Sequence, residues 1–512
     1  MVWSTRSPGC DWRVPTRGRW PRGRTRTSTG PCSGEEANGM RQSLSSIIAD
    51  RARSHPDEVV VIDRDGPMTA VELDDAATRL AHLLVDRGVG HDDLVTVSLP
   101  NGRDYVIACA AVWRAGATPQ PVSRGLTDAE RAAVEAAARP RAAIGRRPHS
   151  PRIPWIDSLV APPVDRALPD LVATSWKAPT TSGSTGRPKV VRANAPAAMD
   201  PTVPVAKFLP LRATQLVAGP MTHSATFTYA FRGLLTGHRL VILPRFDERA
   251  WLEAVQTHAV TWALVVPTMM HRLLRLPVSE RDPLRLRSIE TLLHMGAPCA
   301  VDLKRAFLDW VGAERVVEVY AGSESNGLTM IRGDEWLEHP GSVGRPIGGT
   351  EVQIRSPAGE ERAVGETGLV WMRRGETSAY DYIGSASRRD PLGWDTLGDI
   401  GRLDAEGYLH LIDREDDLII RGGEKVYPVE IERVLEQHPD IRSAVAFGVP
   451  DDALGQRIAA VLDVAGATVD EAELVGWARQ RLGWRAPAVL RLVREPVRDD
   501  AGKTSRRRWA RA

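Results

Sequence analysis

Cysteine is scarce in this chain: four in 512 residues, at positions 10, 32, 109 and 299. No two form a CxxC pair, which excludes a disulfide-stapled fold and points to a reducing compartment. Cys109 and Cys299 stand in apolar surroundings and are expected to be buried fillers. Net charge is nearly absent too. Lys plus Arg number 67 against 65 Asp plus Glu, a formal +2. No global field therefore recruits nucleic acid or an anionic membrane, and only local sites for small anions are left. No apolar run is long enough to span a bilayer, not even WALVVPTMM at 262–270. The expectation is a cytoplasmic protein. Metal-ligating His/Cys clusters, Ser-His-Asp spacing and repeats of fixed period are also missing.

Residues 1–39 have few acids and almost no aliphatic side chains and are built mainly from Arg, Pro, Gly, Ser and Thr. Such a segment cannot bury enough surface to order itself, and it has no apolar core of a secretory signal. It reads as a disordered tail or a mis-called start upstream of Met40, with an Arg-rich organelle address as the alternative. The remaining length is too great for one ordinary core, so two or more domains are expected.

Apolar runs of strand length alternate with helical patterns. After a helix pattern from Ser43 come VVVI at 59–62, an amphipathic stretch from Ala70 to Arg87, LVTVSLP and YVIACAAVWRAGA. LVAGP, LVILP, TWALVVP and ERVVEVY continue the rhythm, each closed by Gly, Pro or a polar turn. This alternation predicts α/β layers. Past residue 340 the runs shorten (EVQIRS, TGLVWMRR). The charged DREDD then separates YLHLID from DLIIRG, as a solvated hairpin or a hinge between domains does, and Pro428 opens a helix at a first-turn position.

TTSGSTGRPK, residues 180–189, packs three Thr, two Ser, two Gly and a Lys into ten positions. Backbone N–H groups with hydroxyls beside them can wrap a phosphate, and a terminal lysine adds a mobile charge. Ser and Gly also build a plain surface turn. It is not a Walker loop, because Pro188 precedes Lys189 and two valines follow.

Four stretches stand in order: TTSGSTGRPK, YAGSE at 320–324, WDTLGDIG with Asp413 and Arg414, and Gly502–Lys503. Together they resemble the adenylate-forming superfamily of acyl- and aryl-CoA synthetases, peptide-synthetase adenylation domains and luciferases. The resemblance runs from Met40 to the C-terminus. GATPQPVS at 116–123 and EWLEHPGSVGRP at 335–346 look most like the branch acting on bile acids and other bulky or aromatic acids.

The resemblance implies a large multi-layer α/β N-terminal domain over 40–413, a hinge at 414–416 centred on Asp416, and a small mobile α+β C-terminal domain over 417–512. It also implies ATP-dependent activation of a carboxylic acid with Mg2+, release of pyrophosphate, and transfer of the acyl group to CoA. Thr181, Ser182, Gly183, Ser184, Thr185, Gly186 and Lys189 would hold the β- and γ-phosphates. Gly296, Ala297 and Pro298 would line the adenine, and Tyr320 would stack on it. Ser323 would bond the α-phosphate, Glu324 would ligate Mg2+, and Asp399 with Arg414 would hold the ribose. His223 matches a position near the acyl carbonyl. Lys503 would bridge the carboxylate and the α-phosphate, neutralising charge as it develops. Gly422 and Gly423 would form the loop presented to the incoming thiol after the small domain rotates.

The chain departs from the family pattern at Ala321, where Gly is usual, at Ser323 for Thr, and at Leu397. The methyl at 321 is expected to narrow the floor of the acyl pocket. Rival readings keep the same loops: a carrier-protein loader, a relative that activates nitrite to diazotise an aryl amine, and a catalytically dead nucleotide sensor. Intact Lys503 argues against the last, since binding alone does not need it.

Overall fold

Each fully apolar run becomes an inner strand of a nine-stranded sheet in the computed structural model, which describes residues 41–181, 189–464, 469–498, 502, 504 and 506–511. The spatial order is Arg345–Pro346, Leu328–Arg332, Val316–Ala321, Thr291–His294, Trp262–Val265, Thr214–Val217, Arg239–Ile242, Val59–Asp63 and Gly66–Thr69. The six strands from Val316–Ala321 to Val59–Asp63 run parallel, and antiparallel neighbours close both edges. Strands buried on both faces read as unbroken apolar runs rather than alternations. Trp262–Val265 is buried at every position, as that rule requires.

Helices cover the sheet where the sequence provides caps. Thr69 and Thr127 each close a capping box with the Glu three residues on, fixing the starts of Ala70–Asp86 and Asp128–Ala138. Two large apolar clusters result. One joins the helices Leu44–Ser54, Ala70–Asp86 and Arg103–Arg114 to the sheet, and the other packs around Trp251, Trp262 and Phe307. A second parallel sheet carries Thr118–Pro121, Leu94–Ser98, Ala142–Gly145 and Trp155–Ile156. Cys109 is buried and Cys299 half-buried, and neither is in a disulfide.

A separate C-terminal domain has apolar cores of its own, one around Ile431, Ile441, Leu462 and Leu474 and one around Phe447, Val461 and Trp509. DREDD is not a hairpin turn. Leu409–Arg414 belongs to a four-stranded antiparallel sheet, and among the described residues Ile419–Arg421 pairs with Glu424–Val426 alone, so the short 3-10 turn Glu415–Asp417 passes the chain from one sheet to another. Pro428 opens the helix Pro428–Leu435 as expected. Among the described residues no helix is long and apolar enough to cross a membrane.

Candidate functional site

Ligands in open α/β sheets bind outside the carboxyl ends of the parallel strands. Four neighbouring strands end there, three of them in residues that the sequence singled out. Thr214–Val217 leads to His223, Trp262–Val265 to Thr268, Thr291–His294 to Gly296 and Ala297, and Val316–Ala321 to Glu324. Register pairs Val265 with His294 and His294 with Glu318, so these ends are aligned. Beneath the turn that begins at Gly296 (φ +92°), a buried Lys304–Glu318 ion pair stands 3.6 Å from His294. Burial and the Lys304 charge hold that imidazole well below its ordinary pKa, hence neutral.

Asp399 and Arg414 are fifteen residues apart but face each other across one antiparallel pair. Arg414 Nε donates to Asp399 Oδ1 at 3.0 Å, and the Tyr320 hydroxyl donates to Oδ2 at 2.6 Å. The carboxylate raises the Arg414 pKa, while burial, then Asp399, raises that of Tyr320. Lone pairs remain on both carboxylate oxygens for a diol. Ala321 packs on the core beside these groups, and Leu397 presses on Gly322, where an added Cβ would lie 2.4 Å from it.

Glu324 follows in a turn closed by Ser325 N–H donating to Gly322 O at 3.2 Å, with Ser325 in the left-handed region at φ +54°. Its Oε1 accepts the Tyr382 hydroxyl at 2.6 Å, and the Tyr382 ring lies 4.8 Å from Lys189 Nζ. Burial, then the Glu324 charge, pushes the Tyr382 phenol up. Thr181 pairs with Lys189, so these two bracket the glycine-rich loop, whose Ser182, Gly183, Ser184, Thr185 and Gly186 lie outside the described residues. Ser323 is half-buried in the same turn as Glu324.

The C-terminal segment reaches this site. Gly502 (φ +73°) is buried, and an added Cβ there would lie 3.3 Å from Thr268 Oγ1 and 3.6 Å from Ala297 Cβ. Arg498 and Arg506 both anchor on Glu432, at 2.8 and 2.9 Å, and Arg506 also pairs with Asp417. Lys503 itself lies outside the described residues. Pro298 is exposed, and Gly422 and Gly423 (φ +59° and +86°) form the exposed two-residue tip of a hairpin. His223 is the N-cap of the helix Ser224–Leu235.

Sequence reasoning missed two groups. Tyr382 had a faint signal in the alternating YDYI, which pairs with Lys189–Ala193. Lys177 had none. It is 4 % exposed, and its ammonium donates to Ser224 Oγ at 2.9 Å and Thr228 Oγ1 at 2.7 Å. Burial, then the Arg232 charge, pushes it down to about 7.

The acidic turn at the strand ends and the Tyr320–Asp399–Arg414 cluster form a polar site of the kind that binds a nucleotide. The chain belongs to the AMP-binding enzyme family: the family model matches residues 48–177 and 178–380, and the model of the AMP-binding enzyme C-terminal domain matches 430–503. It is 30% identical over 485 residues to a 2-succinylbenzoate–CoA ligase of Bacillus licheniformis, covering 90% of this chain and 98% of that one. It is 31% identical over 472 residues to a feruloyl-CoA synthase of Amycolatopsis sp, covering 87% and 94%. Its fold is that of the o-succinylbenzoate CoA synthetase of Bacillus subtilis solved with an acyl-adenylate intermediate, at TM-score 0.75 and 24% identity over 92% of this chain and 98% of that one.

Proposed function

We propose that this protein is an AMP-forming acid–CoA ligase. A carboxylate oxygen of an aryl or polycyclic acid attacks the α-phosphorus of ATP and pyrophosphate leaves. The thiol of CoA then attacks the acyl carbon of the adenylate and AMP leaves. The observation that carries this reading is Gly502 seated against Ala297 and Thr268. A binding protein has no need to bring its C-terminal segment into the strand-end site, whereas an adenylating enzyme needs a cation there as two anions meet.

Asp399 and Arg414 hold the ribose, and Tyr320, braced by Asp399, flanks the base with Gly296, Ala297 and Pro298. Thr181, Lys189 and the hydroxyls between them hold the departing phosphates, and Ser323 bonds the α-phosphate. Lys503 neutralises the charge shared by carboxylate and α-phosphate, and His223 orients the acyl carbonyl. Among the described residues no cluster of three or more ligating side chains could hold a metal ion. One carboxylate, Glu324, suits Mg2+, which keeps its waters and binds mainly through nucleotide phosphates. That ion would neutralise phosphate charge; the protein's part is to aim Glu324, which the Tyr382 hydroxyl does. The domains divide at the 414–416 hinge, and turning about Asp416 exchanges Lys503 for the Gly422–Gly423 tip. A cytoplasmic setting, with ATP and CoA at hand, goes with this reading.

The test is pyrophosphate release over a panel of acids, with and without CoA. Acid-dependent release with CoA-dependent thioester is expected. Adenylate consumed without CoA, by an amine or a carrier, contradicts the thioester step and leaves adenylation standing.

A further inference from the structure

A buried cation, Lys177, and a half-buried one, Arg232, lie next to the reacting site with no acid among the described residues to pair them. Lys177 Nζ has three donors, and only two reach acceptors, the hydroxyls of Ser224 and Thr228. Among the described residues Arg232 reaches Met199 Sδ alone, at 3.4 Å, and lies 4.2 Å over the Trp176 ring, whose face also meets Lys177 Nζ at 5.1 Å. Among the described residues neither cation forms an ion pair, and Arg41 adds a further positive charge near Arg232. Burying like charges without a counter-ion costs free energy that a closed core has no reason to bear. Glu324 is the carboxylate whose field reaches Lys177, but its oxygen is bonded to Tyr382.

The placement gives these charges a use. Ser224, Thr228 and Arg232 recur every fourth residue along one stripe of the helix Ser224–Leu235, and all three are half-buried where the rest of the helix is largely buried. The stripe starts one residue past His223 at the carboxyl end of Thr214–Val217, so it leads away from the reacting centre. Lys177 faces it from the strand side, four residues before Thr181. Each hydroxyl can accept from the ammonium and donate to an anion at the same time.

We propose that Lys177, Ser224, Thr228 and Arg232 form a subsite for a second carboxylate, so that the acid this enzyme activates is a dicarboxylic acid held by its non-reacting end. This rests on the acid-activating function proposed above. It narrows the substrate from aryl or polycyclic acids in general to those with a second anionic end. An apolar acid would leave both cations unpaired beside its own hydrocarbon, whereas a diacid supplies the missing counter-charge.

The experiment compares matched acids that differ by one carboxylate: benzoate with terephthalate, cinnamate with 4-carboxycinnamate, hexanoate with adipate. Acid-dependent exchange of pyrophosphate into ATP gives kcat/KM for each, in wild type and in Lys177→Met, Lys177→Arg and Arg232→Met. Wild type should favour the diacid of at least one pair by about tenfold or more, as a bond to a charged group warrants. That ratio should fall toward one in Lys177→Met and Arg232→Met and recover in part in Lys177→Arg. A purely structural lysine would lower both acids alike and leave the ratio unchanged, which overturns the inference, as does a wild type that prefers the monoacid in every pair. Melting curves identify a variant that fails to fold, and the wild-type ratio decides alone in that case. If monoacids drive exchange and diacids do not, only this subsite falls. If no carboxylic acid drives exchange while nitrite does, the acid-activating function falls with it.

Discussion

Raising pH should loosen the grip on a dicarboxylic acid far more than on its monoacid partner. The Lys177 amine, held down by burial and by Arg232, titrates at about 7. A carboxylate pairs with the ammonium form only, so above that value binding must first return a proton. With the pair formed, the amine's pKa rises toward its ordinary value, and the apparent Kd follows one plus ten to the power of pH minus 7. Between pH 6.5 and 8.5 this amounts to about a 25-fold weakening, with net proton uptake approaching one at the upper end. The groups facing the amine are Ser224, Thr228 and Arg232 from the helix, Trp176 beside it, and Glu324 from the turn after Val316–Ala321. Arg232, pushed down only to about 10, stays charged across the window. Calorimetry on nucleotide-free, magnesium-free protein in buffers of different ionisation enthalpy reads affinity and proton uptake together. A diacid Kd that is flat from pH 6.5 to 8.5, or one that tracks the monoacid, refutes the reasoning.

Asp399→Asn removes the charge that Tyr320 and Arg414 share and, with the ribose held as proposed, should weaken both bonds to its diol. At roughly 1.5–3 kcal/mol for a bond to a charged group, KM for ATP should rise about 10- to 100-fold, whereas an unchanged KM moves the ribose elsewhere. Tyr382→Phe deletes the bond that aims Glu324, worth on the order of 1 kcal/mol. The magnesium concentration for half-maximal rate should rise several-fold, and a rate loss that magnesium does not relieve argues against this role. A Cβ added at Gly423 meets no atom within 4 Å, but Gly423→Leu strains a left-handed position at φ +86°. It should crowd an incoming pantetheine, so that acyl-AMP accumulates in single-turnover quenching while thioester falls. Equal losses in both half-reactions would argue against a thiol-delivery loop.

The strands and their order of appearance were legible because double burial forces unbroken apolar runs, and TWALVVP holds such a run; ERVVEVY is broken only by Glu318, which is paired with Lys304. The candidate nucleotide motifs stand out for a different reason: glycines, hydroxyls and acids crowd into contiguous runs there, although such a run by itself also reads as a plain surface turn, and residues 182–186 of the glycine-rich one lie outside the described residues. What stayed hidden depends on sheet pairing between distant segments. Tyr382 meets Glu324 and Lys189 only because Tyr380–Ile383 pairs with Lys189–Ala193. Lys177 reads as an ordinary surface lysine in SWKAP until the helix Ser224–Leu235 covers it. DREDD carried two meanings as sequence, and the sheet topology removes the hairpin one. Local pattern reports what each segment is, and only the assembled sheet reports what a side chain faces.

In the reaction proposed here, the C-terminal segment that seats Gly502 beside Ala297 delivers the catalytic Lys503 to an acid about to join ATP. Isotope exchange between pyrophosphate and ATP, driven by the best acid of the panel, measures that half-reaction without CoA. Lys503→Ala should slow exchange by orders of magnitude and leave the affinity for ATP nearly intact, because the contact strengthens chiefly in the transition state. Exchange at the wild-type rate in Lys503→Ala would contradict the account.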